Sequence, residues 1–87
     1  MNDLLSEKDA RALAEILADQ LDVGGEQLTE EARLMEDLGA DSLTLIEITM
    51  AIEERFDISV PDERWERVRT VRDVFEALAE LLKQRRG

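Results

Sequence analysis

The stretch that constrains the fold most is residues 41–56, DSLTLIEITMAIEERF. Asp41 and Ser42 are residue types that cap helices, so a helix is predicted to begin there, just after the flexible Gly39. At about 100° per residue, one apolar stripe falls within about 60° of a single direction. Its members are Leu45, Ile48, Ile52 and Phe56. This stripe is the predicted core face of the helix.

The same helix carries a second apolar stripe, between about 100° and 160° from the first. It consists of Leu43, Ile46 and Met50, and the acidic residues around it are Glu47, Glu53 and Glu54. A helix in so small a domain has one buried face, so the second stripe is expected to be exposed. An apolar strip with a charged border is typical of a protein-docking site. The alternative is that residues 25–40 fold over the strip and bury it.

Helical patterns flank this segment on both sides. A first helix is predicted over residues 6–22, capped by Ser6 and ended by Gly24 and Gly25. Residues 25–40 are predicted as a long connection with a turn of helix near residues 30–35. Its apolar anchors are predicted to be Leu28, Leu34, Met35 and Leu38.

After the central helix, Pro61 is predicted as the first residue of a short helix that runs to Arg67. Thr70 and Asp73 form a capping box that opens a last helix to the end of the chain. The predicted fold is therefore all-α. It is a small four-helix bundle, with three main helices plus a short third helix, in one domain over residues 1–87.

Composition excludes several classes of function. The chain has no cysteine and no histidine, so it has no thiol nucleophile, Ser-His pair or imidazole metal ligand. Glu36, Asp37 and Asp41 lack the ligand spacing of a calcium loop. We therefore expect no enzyme activity and no metal site.

Charge and hydropathy bear on partners and location. The net charge of −11 disfavours nucleic acids and anionic membranes, and favours basic protein surfaces. The first residues lack the order of a signal peptide, and no apolar run approaches membrane-spanning length. We expect a cytoplasmic monomer.

Ser42 is either the helix cap or a residue of the first turn. Asp41 can cap alone, which would leave the Ser42 hydroxyl in solvent. Without a histidine the hydroxyl is not a nucleophile of the triad type, but it is suited to be an attachment point. A phosphate ester there would lie near backbone N–H groups and the positive end of the helix dipole.

Residues 36–43, Glu-Asp-Leu-Gly-Ala-Asp-Ser-Leu, resemble the attachment motif of the acyl carrier protein family. The resemblance continues in order and spacing over most of the chain. It includes Met35, Glu47, Met50-Ala51, Glu53-Glu54, Phe56-Asp57, Pro61-Asp62-Glu63 and Thr70-Val71. So many matches at fixed spacing are far more specific than Asp-Ser-Leu alone.

The resemblance implies that Ser42, flanked by Asp41 and Leu43, carries 4'-phosphopantetheine. A phosphopantetheinyl transferase would attach this arm from coenzyme A, and its thiol would hold acyl groups as thioesters. The implied docking residues for acyl-loading and acyl-processing enzymes with basic surfaces are Leu43, Ile46, Glu47, Met50, Glu53 and Glu54. The implied acyl-pocket residues are Leu45, Ile48, Ile52, Val60, Trp65, Val68 and Val71.

The sequence also departs from the family pattern. Thr44 and Arg55 replace acidic residues, and Trp65 stands where a small residue is common. Trp65 either covers a small core or narrows the acyl pocket. These departures favour a specialised carrier of lipid or secondary-metabolite synthesis over a general fatty-acid carrier, and Ala40-Asp41 disfavours a peptidyl carrier. From another class, the chain could be an unmodified acidic helical adaptor that binds partners through the second helix.

Overall fold

In the described part of the chain, the fold consists of three α-helices and two 3₁₀ segments. The computed structural model describes residues 4–86, and the side chains of residues 4–84. The helices are α1 (Glu7–Leu21), α2 (Ser42–Phe56) and α3 (Val71–Arg86), and the 3₁₀ segments are Gly25–Gln27 and Asp62–Arg67. Within these residues there is no strand, only an isolated bridge between Arg33 and Thr70. The predicted all-α architecture with a short third helix is confirmed.

Helix α1 begins and ends close to its predicted bounds, but a different residue terminates it. The Ser6 hydroxyl accepts a hydrogen bond from the Asp9 N–H at 3.2 Å, which caps the first turn. The helix ends at Leu21 and is capped by Asp22, whose φ of 56° is left-handed, whereas Gly24 has a φ of −78°. The predicted end near residue 22 is confirmed, but the expectation that Gly24 and Gly25 supply the left-handed residue was wrong, because Asp22 adopts that conformation itself.

The connection between α1 and α2 binds the start of α3. The Leu34 N–H donates to the Arg69 carbonyl at 2.9 Å, and the Val71 N–H donates to the Ala32 carbonyl at 3.0 Å. The helical turn predicted near residues 30–35 is displaced: the Asp37 N–H donates to the Arg33 carbonyl at 2.9 Å, whereas backbone groups of Ala32 and Leu34 are bonded to a distant segment. This pairing fixes the path of the chain into α2.

The second 3₁₀ segment follows Pro61, which is its cap and not its first residue as predicted. The next helix start matches its prediction. Thr70 Oγ1 accepts from the Asp73 N–H at 3.3 Å, and Asp73 Oδ2 accepts from the Thr70 N–H at 3.1 Å. This reciprocal pair is the predicted capping box, and it sets the start of α3.

The core is built almost entirely from aliphatic side chains of the helices and the first connection. Its most deeply buried large members are Leu13, Leu17, Ile48, Val71 and Leu78. Ile48, Ile52 and Phe56 are the buried residues of α2, which confirms the predicted core face. Because that face is buried, the opposite face of α2 is turned outward.

Candidate functional site

Asp41 alone caps α2. Its Oδ1 accepts hydrogen bonds from the Thr44 N–H at 2.9 Å and from the Thr44 hydroxyl at 2.8 Å. These donors, led by the backbone N–H, stabilise the carboxylate and lower the pKa of Asp41 below its ordinary 3.8. Just before the cap, Gly39 has a φ of 74°, which glycine adopts without strain. The chain therefore turns at Gly39 before it enters α2. Because Asp41 caps the helix, Ser42 is not needed as the cap.

Ser42 is the first residue of α2, and its side chain is exposed. Among residues 4–84, no hydrogen bond engages its hydroxyl. The first turn of α2, which lies wholly in the described chain, contains no acidic residue. A phosphate ester on Ser42 would thus lie at a helix N-terminus, where backbone N–H groups and the dipole favour negative charge. The residues present fit such a group.

The second apolar stripe of α2 is exposed, as predicted. The exposed fractions of Leu43, Ile46 and Met50 are 63%, 56% and 62%. We call these three residues the apolar strip. The alternative that residues 25–40 cover it is wrong, because Leu34 and Leu38 of that connection turn into the core. Met35, one of the four apolar anchors predicted there, is instead 52% exposed.

The three glutamates around the apolar strip differ in their surroundings. Glu47 and Glu54 are exposed, whereas Glu53 is half-buried. Glu53 Oε2 accepts a hydrogen bond from the Val60 N–H at 2.8 Å. One oxygen of Glu53 thus holds the segment that follows α2, so the freely exposed carboxylates beside the strip are those of Glu47 and Glu54.

Arg33 partly neutralises the negative charge of the acidic segment before α2. Asp37 Oδ2 accepts from the Arg33 N–H at 2.8 Å and lies 3.4 Å from its Nε, while Arg33 Nη1 lies 3.3 Å from Glu36 Oε2. The backbone N–H of Arg33 is the main cause that lowers the pKa of Asp37. Across residues 4–86, no three acidic side chains are grouped as a metal site would require.

The structure brings together four of the seven residues implied as an acyl pocket. Ile52, Val60, Trp65 and Val68 line a cavity between α2, the second 3₁₀ segment and α3. The cavity volume is ≈ 20 Å³, about the space of one water molecule. The remaining three residues are not part of its lining: Ile48 and Val71 are fully buried in the core, and Leu45 packs against it half-buried.

Sequence reasoning missed Thr49. Its Oγ1 accepts a hydrogen bond from the Trp65 indole N–H at 2.6 Å, and its hydroxyl donates to the Leu45 carbonyl at 2.8 Å. A signal was present, because Thr49 lies about 40° from Leu45 on the wheel, within the core stripe. A polar side chain on a core face needs a partner.

The capping carboxylate predicts a pH dependence of stability. The folded-state pKa of Asp41 is lowered, so the cap contributes stability above pH 3.8, which is lost as the pH falls through the folded-state pKa. Asparagine caps as well as aspartate but does not titrate. Between about pH 6 and about pH 3, the Tm of the unaltered chain should fall more than that of Asp41→Asn. Parallel melting curves against pH would contradict this account of the cap.

No helix in residues 4–86 has both the length and the apolar character needed to cross a bilayer.

Comparisons with known proteins agree with this site. Residues 11–78 match the family described as a phosphopantetheine attachment site. The chain is 51% identical over 67 residues to an acyl carrier protein of Syntrophobacter fumaroxidans, covering 77% of this chain and 83% of the relative. It is 48% identical over 62 residues to an acyl carrier protein of Wolinella succinogenes, covering 71% and 82%. The chain therefore belongs to the acyl carrier protein family, whose members are carriers and not enzymes, and its cofactor is 4'-phosphopantetheine.

Proposed function

We propose that the chain carries acyl groups as thioesters on 4'-phosphopantetheine attached to Ser42, and presents them to partner enzymes. The observation that supports this proposal is that Asp41 and Ser42 have separate roles at the start of α2. Asp41 supplies the cap, while the Ser42 hydroxyl is exposed and unbonded among the described side chains. Ser42 can therefore be modified without removing a contact that holds the helix.

Ser42 contributes the oxygen of the phosphodiester that holds the arm. A phosphopantetheinyl transferase would join Ser42 Oγ to the phosphorus of the arm, breaking its bond to the nucleotide part of coenzyme A. The hydroxyl proton would pass to a general base in the complex with the transferase. The N-terminus of α2 then stabilises the phosphate charge, and the terminal thiol of the arm supplies the thioester chemistry.

Partner enzymes would bind the apolar strip together with Glu47 and Glu54. Exposed apolar side chains provide contact area, and a carboxylate border steers partners that present basic residues. Ser42 lies next to Leu43 in sequence, so a partner on the strip would be placed beside the arm. Met50 adds a side chain that adapts to differently shaped partners.

We place this carrier in a dedicated lipid or secondary-metabolite pathway, with general fatty-acid synthesis as the second candidate. Thr44 supports this assignment, because its hydroxyl bonds to Asp41 where many carriers of general fatty-acid synthesis have a charged acid. Trp65 supports it too, since it occupies space that a smaller side chain would leave open. The cytoplasmic, monomeric state stays a prediction from the sequence.

Intact mass tests the proposal. The chain is incubated with coenzyme A, Mg²⁺ and a broad-specificity phosphopantetheinyl transferase, beside Ser42→Ala and Ser59→Ala. Ser59 is an exposed serine outside the site and serves as the matched control. We expect the unaltered chain and Ser59→Ala to gain the mass of one phosphopantetheine, and Ser42→Ala to gain none. A folded, unaltered chain that gains nothing would contradict the proposal and favour an unmodified adaptor that uses the apolar strip.

A further inference from the structure

We propose that Trp65 is a latch that keeps the apolar cavity narrow, and that its hydrogen bond to Thr49 limits the length of acyl chain that the bundle can enclose. The part of this inference that concerns cargo rests on the proposed function. The part that concerns the narrow cavity rests on the geometry of this chain alone.

The latch connects two elements. The Trp65 indole N–H, in the second 3₁₀ segment, donates to Thr49 Oγ1 of α2 at 2.6 Å. The Thr49 hydroxyl donates in turn to the Leu45 carbonyl at 2.8 Å, which leaves its oxygen oriented to accept the indole proton. Both side chains are half-buried, so this bond is partly shielded from water. The indole is therefore held against α2 by a directed contact.

The cavity behind the latch is too small for an acyl chain of several carbons. Its lining is apolar except for Arg64, and its volume is ≈ 20 Å³, about enough for one small group. The walls on α2 and α3 are formed by side chains of regular helices. The third wall is formed by Val60, Trp65 and Val68, in and beside the 3₁₀ segment. The hydrogen bonds of a 3₁₀ helix have less favourable geometry than those of an α-helix. This wall is therefore the one that can move.

Apolar packing of Val60, Trp65 and Val68 against the core holds that wall, together with three polar side-chain contacts. Val60 bonds to Glu53 ahead of the 3₁₀ segment, and Arg64 Nη1 lies 3.2 Å from Glu80 Oε2 on α3. The Glu80 side chain is largely exposed, so this ion pair contributes little. The Trp65 bond holds the middle of the segment to α2. Loss of this hydrogen bond would let the wall move outward. While the bond is intact, acyl chains longer than a few carbons should therefore stay outside the bundle.

The first test uses the chain without its cofactor. Trp65 is the sole tryptophan of the sequence, so its indole N–H gives one assignable NMR signal whose exchange with water can be followed. In Thr49→Val this proton should exchange about fivefold faster than in the unaltered chain, the factor that corresponds to one ordinary hydrogen bond. Thr49→Ser keeps the hydroxyl and should exchange at the original rate. Equal exchange in all three proteins would overturn the latch.

The second test measures enclosure of the cargo. Acetyl and octanoyl thioesters of the cofactor-bearing chain are cleaved with hydroxylamine, which attacks the thioester carbonyl and releases the thiol and a hydroxamate. In the unaltered chain and in Thr49→Ser, each thioester should be cleaved at the rate of the same acyl thioester of free pantetheine. In Thr49→Val and Trp65→Phe, the octanoyl thioester should become up to about fivefold more resistant than the acetyl thioester.

The inference would be overturned if the octanoyl thioester already resists hydroxylamine in the unaltered chain, or if its resistance is the same in all variants. Trp65→Phe retains an aromatic ring and Thr49→Val retains the shape of threonine. If one of the two variants fails to fold, the other still tests the inference. Failure of the proposed function is distinguishable, because a chain that takes no cofactor forms no thioester while its indole exchange still reports the latch.

Discussion

Replacement of Ile48 with alanine should lower the free energy of unfolding by about 3 kcal/mol, within the range of about 2–5 kcal/mol for such substitutions. Ile48 has an exposed fraction of 0% and lies at the centre of the α2 face that meets the core. Its truncation removes buried methyl and methylene groups and leaves a cavity. In a domain of this size the loss is a large part of the total stability. Urea unfolding followed by circular dichroism measures it directly.

Ile46→Ala is the matched control for this prediction. It makes the same chemical change on the same helix, but the Ile46 side chain is 56% exposed. Its effect on the free energy of unfolding should stay within about 0.5 kcal/mol. Equal destabilisation by the two variants would contradict the assignment of the two faces of α2.

The second large effect concerns docking. The double variant Ile46→Ala/Met50→Ala removes two thirds of the apolar strip and should lower kcat/KM for the phosphopantetheinyl transferase by about tenfold or more, equivalent to about 1.4 kcal/mol or more. Because both side chains are exposed, Tm should not change. Ser59→Ala, assayed at the same salt concentration, should keep the original kcat/KM.

An unchanged kcat/KM for a folded double variant would remove the apolar strip from the proposed docking surface. A loss that is accompanied by a lower Tm would instead indicate that the two side chains support the fold. Rate and melting data together therefore separate binding from stability.

Local chemistry explains why much of α2 was predictable. Its start follows from the capping capacity of Asp41, and its two faces follow from the spacing of the apolar residues. The exposure of Leu43, Ile46 and Met50 followed because Ile48 and Ile52 already occupy the buried face. The candidate attachment site is equally local, since Asp41, Thr44 and the first turn of α2 determine the surroundings of Ser42.

Features that depend on distant contacts were not predictable in the same way. Residues 30–35 look helical in isolation, but their backbone groups bond to Arg69 and Val71. The Trp65–Thr49 hydrogen bond joins residues 16 positions apart, and no local pattern pairs them. The exposure of Met35 likewise depends on how its connection docks on the core, where Leu34 and Leu38 fill the available space.

Peptide mapping of the modified chain tests the central claim most directly. Trypsin cleavage after Arg33 and Arg55 releases residues 34–55, in which Ser42 is the only serine, while Ser6 and Ser59 fall in other peptides. After incubation with coenzyme A and the transferase, this peptide should carry the added mass, and fragmentation should place it on Ser42. The added mass on Thr44, Ser6 or Ser59, or on no peptide of a folded chain, would contradict the account.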